Sequence, residues 1–243
     1  MKPRIGLNCD IETTGRLRSR VAVTYHDLVI QYGGIPLLIP PGVDPAEVAP
    51  FFDGILLIGG DDYRCGLKKN EPEPERFLEV HPLREAADLR WAEYLLASDL
   101  PVLGICGGFQ LLSIVGGGSL IGDIEVELGS TVMHRVVENH MTDVEDELPV
   151  HEIEWLGGLP GAEAPGTYHV NSSHHQSVKD LPQGWTLLAR SCDDVIEAAC
   201  SDDGRIVGVQ WHPEHVKMKD EPLGMCIVKN FIRCCNERSA RDS

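Results

Sequence analysis

A chain of 243 residues with 42% apolar and 24% charged side chains has the composition of a globular protein, and its length suits one large core. The formal charge of −17 argues against nucleic acid or anionic membrane as a partner, because a phosphate surface would repel it. No apolar run approaches the roughly eighteen residues of a membrane span, and MKPRIGLNCD enters a strand pattern with no apolar signal region, so a cytoplasmic location is expected.

In chain order, RIGLNC (4–9) reads as a strand and VAVTYHDLVIQYGG (21–34) as a helix ending in glycines. IPLLIPP (35–41) reads as a strand closed by prolines, followed by a short helical piece near DPAEVAPFF. GILLIGG (54–60) is a short, doubly buried strand. LREAADLRWAEYLLAS (83–98) places Leu89, Ala92, Leu95 and Leu96 at helical spacing. PVLGIC (101–106) is a strand and GFQLLSIVGG a helix. Continuous apolar strands separated by helices predict a parallel sheet covered on both faces.

The second half carries shorter β signals: HEIEWL (151–156), WTLLARS (185–191), VIEAACS (195–201) and IVGVQWH (206–212), with DDG turning between the last two. A helix over about 222–237 closes the chain. The stretches 61–82 and 129–150 are polar and long for connections, as lids and binding loops often are, and DVEDE (143–147) reads as a solvated loop. No linker composition divides residues 1–243, so a single domain is expected. The eight cysteines show no C-x-x-C and no regular spacing; neither a disulfide framework nor a zinc site is indicated, and most are expected to be buried thiols.

Cys106 differs from the rest in its neighbours. Strand, then Gly104-Ile105-Cys106-Gly107-Gly108, then helix is the pattern of a nucleophile elbow with cysteine in place of serine. A sharp turn there would raise the thiol above the sheet edge. The free N–H groups of the following helix would favour thiolate, and the Gly107 amide could help hold an oxyanion. The competing reading is a buried cysteine in a βα turn. A nucleophilic thiol needs a base and an orienting acid. Of the ten histidines, His212 is the best placed by its neighbours: in extended chain, with Pro213 between them, His212 and Glu214 would share one side. A helix-capping role for Glu214 is the alternative.

With these residues in view, GICGGFQ, the HPE about a hundred residues later and the GG closing GILLIGG resemble the class I glutamine amidotransferase superfamily. GGDDY (59–63), PLREAADL (82–89), GGGSLIGDI (116–124), VNSSHHQSV (170–178) and VIEAACSDDGRIVGVQWHPE (195–214) resemble its γ-glutamyl hydrolase branch, the peptidase C26 type. The resemblance spans about residues 4–235. It implies a three-layer α/β sandwich of flavodoxin-like type, with a mostly parallel central sheet flanked by helices and a small antiparallel portion in the second half. By the same resemblance Cys106, His212 and Glu214 match a catalytic triad, and Gly60 and Gly107 the oxyanion-hole amides. Gln110 matches a glutamine near the glutamyl group. His174, His175 and Gln176 match an element lining the site, although adjacent histidines could equally satisfy backbone groups in a loop. Asp62 matches an aspartate after the glycine pair, with loop-capping as the other reading. One departure stands out: the branch usually has arginine after the cysteine, where this chain has Gly107.

The expected activity is hydrolysis of the γ-glutamyl amide of a small compound such as γ-glutamyl-γ-aminobutyrate, with no cofactor and no metal. Two alternatives stay open: a glutaminase subunit supplying ammonia to a separate synthase, and a catalytically silent binding module. A small-molecule substrate is the expected partner, and a homodimer is left open.

Overall fold

The computed structural model describes residues 1–66, 75–135, 148–215 and 222–241. DVEDE and most of KKNEPEPER lie outside the described residues. The chain begins with β1 (Arg4–Asn8), then a hairpin that the sequence reading did not anticipate, β2 (Asp10–Glu12) and β3 (Arg18–Arg20). α1 (Val23–Gln31) leads to β4 (Ile35–Ile39), and α2 (Pro45–Val48) to β5 (Gly54–Leu57). α2 starts where DPAE predicts: the Asp44 carboxylate accepts from Ala46 N–H at 2.9 Å and Pro45 takes the first helical position. α3 (Pro82–Ala97) likewise begins with proline, and His81 Nδ1 caps Leu83 N–H.

β6 (Val102–Ile105), α4 (Gly107–Val115), β7 (Ser119–Ile121) and α5 (Ile124–Leu128) follow, α5 capped by Asp123. The remainder is β8 (Val150–Trp155), β9 (Gly166–Asn171), β10 (Ser177–Asp180), β11 (Trp185–Ser191), β12 (Ile196–Ser201), β13 (Ile206–Val209) and α6 (Pro222–Arg241). The strands β2, β3, β7, β9 and β10 are absent from the sequence reading. They are short or carry mixed polarity, so no alternation marks them.

Strands β4, β1, β5, β6 and β13 lie side by side, all parallel, in the flavodoxin-like order. The same sheet continues antiparallel through β12, β11, β8 and β9, while β10 bridges β12 to β7. Alternate residues of the parallel strands face opposite layers. Leu56, Ile58, Leu103, Ile105, Val207 and Val209 pack with Tyr25, Leu28 and Val29 of α1 and with Leu223, Ile227 and Phe231 of α6. Ile55, Leu57, Val102 and Ile206 face Trp91 and Leu95 of α3 and Leu111 and Leu112 of α4.

Glycines bring α4 down onto the sheet. A side-chain carbon on Gly108 would sit 2.3 Å from Leu57 O, and one on Gly208 would fall 1.9 Å from the Phe109 ring. The parallel strands and α4 therefore touch through backbone, which fixes the start of α4 relative to the ends of β5, β6 and β13. Among the described residues no helix is long and apolar enough to cross a membrane. All eight cysteines are free. The expectation of mostly buried thiols holds only in part, since Cys65 and Cys192 are exposed and Cys226 and Cys234 half-buried.

Candidate active site

The C-terminal ends of β5, β6 and β13 meet at one edge of the sheet. In the register of β6 with β13, Ile105 lies opposite Val209, and the next amide, Cys106 N–H, still donates to Val209 O at 2.8 Å. There the ladder stops. Cys106 turns to φ 50° and ψ −109°, a strained conformation for a residue with a side chain, and α4 starts at the next residue, Gly107. This is the elbow geometry the glycine pattern predicts.

His212 reaches the same edge from β13. Its Nδ1–H donates to Glu214 Oε1 at 2.7 Å, and both side chains are buried. An ideal side-chain carbon built on Gly59 would lie 3.2 Å from His212 Cε1 and 3.4 Å from Cys106 Cβ, so the imidazole and the thiol-bearing carbon converge over that residue. The remaining ring nitrogen, Nε2, has no other hydrogen-bond partner among the described residues.

The local route differs from the one expected. β13 ends at Val209, not at His212, and His212-Pro213-Glu214 lies in a turn closed by His215 N–H donating to His212 O. Pro213 occupies the second turn position, where its fixed φ is suited. Glu214 therefore reaches the ring across a turn rather than along an extended segment. In place of a neighbouring strand, Asn171 holds His212: its amide nitrogen donates to His212 O and its oxygen accepts from His212 N–H, both at 2.8 Å.

Burial works against a charged His212 ring, but the Glu214 carboxylate and then the neighbouring Cys106 outweigh it and hold the imidazolium well above its ordinary range. Burial likewise opposes the Glu214 charge, and the His212 imidazolium overcomes it, keeping the carboxyl below its usual value. The Tyr25 hydroxyl accepts from Gly59 N–H at 3.0 Å; burial first, and then the neighbouring Glu214 charge, push its ionisation far up.

Gly60 has φ 151°, and a side-chain carbon there would lie 2.1 Å from Arg84 Nη1. One on Gly107 would lie 3.5 Å from Gly60 N, so these two main-chain segments are neighbours beside Cys106. Arg84, from α3, is almost fully buried and donates to Gly59 O at 2.7 Å and to Asp88 at 3.1 Å. Asp88 also accepts from Asn8 and from the Tyr63 hydroxyl. Arg84, Asn171 and Tyr25 all shape the site without having been singled out in the sequence. Arg84 and Asn171 lie inside stretches that carried the resemblance, but an isolated residue type does not announce a buried positioning role.

The other expected site residues are distributed as follows. Gln110 is buried and donates through Nε2 to Gln176 O at 3.1 Å and to Gln210 Oε1 at 3.2 Å; Gln210 Nε2 in turn donates to Cys106 Sγ at 3.4 Å. Gln110 thus meets the sulfur through Gln210. His175 Nε2 lies 3.0 Å from both Asp62 oxygens, and Asp62 also accepts from Leu78 N–H, the loop-capping role. His174 Nδ1 donates to Gln176 O at 2.9 Å and the ring faces away toward His134 and Glu197. A cleft of about 370 Å³ is lined by Asp10, Glu12, Arg20, Glu79 and Asp61, the residue that follows Gly60 in the chain.

Residues 3–214 match the model of the peptidase C26 family. The chain belongs to the peptidase C26 family. It is 29% identical over 252 residues to the Escherichia coli K12 protein named gamma-glutamyl-gamma-aminobutyrate hydrolase PuuD, covering 98% of this chain and 95% of that one. It is 34% identical over 192 residues to the Enterococcus hirae protein NtpR, covering 76% and 77%. The crystal structure of a glutamine amidotransferase from Thermotoga maritima superposes with a TM-score of 0.57 at 17% identity, covering 98% of each chain. At that identity the likeness concerns the fold. Membership of the peptidase C26 family makes the chain a hydrolase by kinship.

Proposed function

We propose that this C26 member is a cysteine-dependent γ-glutamyl hydrolase that releases glutamate and an amine from a small γ-glutamyl amide. The observation carrying this reading is the convergence of Cys106 with the His212–Glu214 pair over Gly59, beside the main chain of Gly60 and Gly107. The Cys106 thiolate attacks the γ-carbonyl carbon, and the resulting oxyanion is met by the Gly60 and Gly107 amides, each such donor contributing roughly 3 kcal/mol. The C–N bond then breaks, and the leaving amine takes its proton from the His212 imidazolium. Water attacks the γ-glutamyl thioester while His212 accepts its proton, and the C–S bond breaks to release glutamate and thiolate. Glu214 keeps the ring oriented and stabilises its charge throughout. The high proton affinity of His212 supports the acid role.

The test is glutamate release by purified protein from a panel of γ-glutamyl amides and free glutamine, with Cys106→Ala as control. The panel includes anionic, zwitterionic and cationic leaving amines, because the cleft lined by Asp61 carries acid on several sides. Release from an amide well above that from glutamine, lost in the Cys106→Ala variant, is the expected result. Full activity in that variant would overturn the reading. Release from glutamine alone, rising when a second protein is supplied, would instead identify a glutaminase subunit.

A further inference from the structure

Behind the nucleophile, on the antiparallel half of the sheet, four ionisable side chains meet in the interior. They are His134 from the segment after α5, His151 from β8, His174 from the loop after β9, and Glu197 from β12. All are buried, and Glu197 has no solvent exposure at all. Three imidazole nitrogens point at one carboxylate oxygen: His151 Nε2 lies 3.0 Å, His134 Nδ1 3.6 Å and His174 Nε2 3.8 Å from Glu197 Oε1.

The outer nitrogens decide which inner atoms are lone pairs. His134 Nε2 lies 3.0 Å from Asp193 Oδ2, and His174 Nδ1 lies 2.9 Å from Gln176 O. Both outer partners are acceptors, so both outer nitrogens carry the proton. His134 Nδ1 and His174 Nε2 are then bare acceptors facing a carboxylate, and among the described residues neither has a hydrogen-bond donor; Glu197 Oε2 likewise has no partner among them. Buried acceptors aimed at one another repel, and a fully hydrogen-bonded polar core is the rule. A cation among them resolves the conflict.

We propose that His134, His151 and Glu197, with His174 adjacent as the fourth donor, form a binding site for one divalent transition-metal ion, with Zn²⁺ the species best suited to imidazoles and a carboxylate. Tetrahedral zinc with bonds of about 2.0–2.1 Å sets its ligand atoms roughly 3.3 Å apart; the ligand atoms of His134, His151 and Glu197 all lie within 4.8 Å of one another, and His174 Nε2 lies 3.8 Å from Glu197 Oε1. A carboxylate behind one ligating histidine and a backbone carbonyl behind another are the usual outer partners of such sites. The site contains none of the residues given a step in the proposed chemistry. It ties β8 and β12 to the two segments bearing His134 and His174. Through Gln176 O, Gln110 and Gln210 it is also connected to Cys106 Sγ by hydrogen bonds, so the ion would position the wall behind the nucleophile.

The test uses full-length protein without a histidine tag, produced with added Zn²⁺ or Co²⁺ so that metal is present as the chain folds. Metal content is measured in the wild type and in the Cys106→Ala, His212→Ala and Glu197→Gln variants. The expected result is close to one ion per chain in the wild type and in both active-site variants, with loss in Glu197→Gln. The Co²⁺ form should show the strong visible absorption of tetrahedral coordination without a sulfur charge-transfer band. Should Glu197→Gln fail to fold, the wild-type content and the Co²⁺ spectrum still decide. Metal far below one ion per chain in the wild type overturns the proposal. So does an ion that is lost on removing Cys106 or His212, which would place it on the other cluster of potential ligands, His212, Glu214 and His215.

Discussion

Arg84 Nη2 donates to the carbonyl of Gly59 at 2.7 Å while Arg84 Nε donates to Asp88, so a guanidinium buried beneath the sheet edge fixes the peptide leading into Gly60. Arg84→Met would leave Asp88 charged and buried without its cation. A stability loss of about 3–5 kcal/mol is expected, measured by denaturant unfolding. Arg84→Lys keeps the charge but loses the fork; it should fold, and its kcat should fall more than its KM rises. An Arg84→Lys enzyme with wild-type kcat would remove Arg84 from the positioning of the site.

Gly60→Ala tests the oxyanion side. At φ 151° a methyl group is strained, and the space it needs is held by Arg84. Loss of one aligned donor should lower kcat by about 10²-fold or more, with strain costing about 1–3 kcal/mol. Steady-state kinetics and thermal unfolding of the same sample separate the two effects.

The His212–Glu214 pair sets a pH dependence. His212 binds its proton more tightly in the folded protein than its ordinary value of 6.5, so its contribution is complete below that value and disappears as pH rises through the elevated one. Glu214 is held below its ordinary 4.5, so its contribution is complete above 4.5 and is lost as pH falls through the lowered value. The stability advantage of the wild type over Glu214→Gln should therefore be largest between about pH 4.5 and 6.5 and shrink on both sides. Unfolding curves from pH 3 to 10 would show it (roughly the span of those titrations). A constant difference across that range would contradict the ion pair.

Asn171→Ala removes two hydrogen bonds to the main chain of His212, one in each direction. A loss of about 1–3 kcal/mol is expected, because the buried His212 N–H is stranded while His212 O keeps the His215 N–H. Because the imidazole then loses its fixed position, kcat should fall with KM little changed. Equal losses in kcat and substrate binding would point to a wider collapse of the site.

Much of this architecture is written in local pattern. The apolar runs at 54–57 and 102–105, the helical spacing around Trp91 and the glycines flanking Cys106 each state a local geometry, and those geometries are present. What local pattern cannot carry is the partner of a buried polar group. Asn171 substitutes for a strand at His212, and Arg84 serves a loop more than twenty residues earlier; both relations exist only once the sheet is assembled. The same holds for His134, His151, His174 and Glu197, whose separation along the chain hides their meeting. Local pattern alone places His-Pro-Glu in extended chain, because proline suits both an extended approach and the turn that the fold adopts.

The place of β13 has a consequence for the making of the protein. It is inserted between β6 and β12, pairing Ile206 with Val102 on one side and Val209 with Ala198 on the other. It is also the last strand among the described residues. During synthesis, the parallel and antiparallel halves can each gather before it emerges, but the seam between them stays open, with the edges of β6 and β12 unpaired. Such edges invite wrong pairing, and non-local pairing of this kind is slow. The thiol is therefore exposed at an unfinished edge until residues 206–209 have left the ribosome, and the base arrives with the strand that closes it.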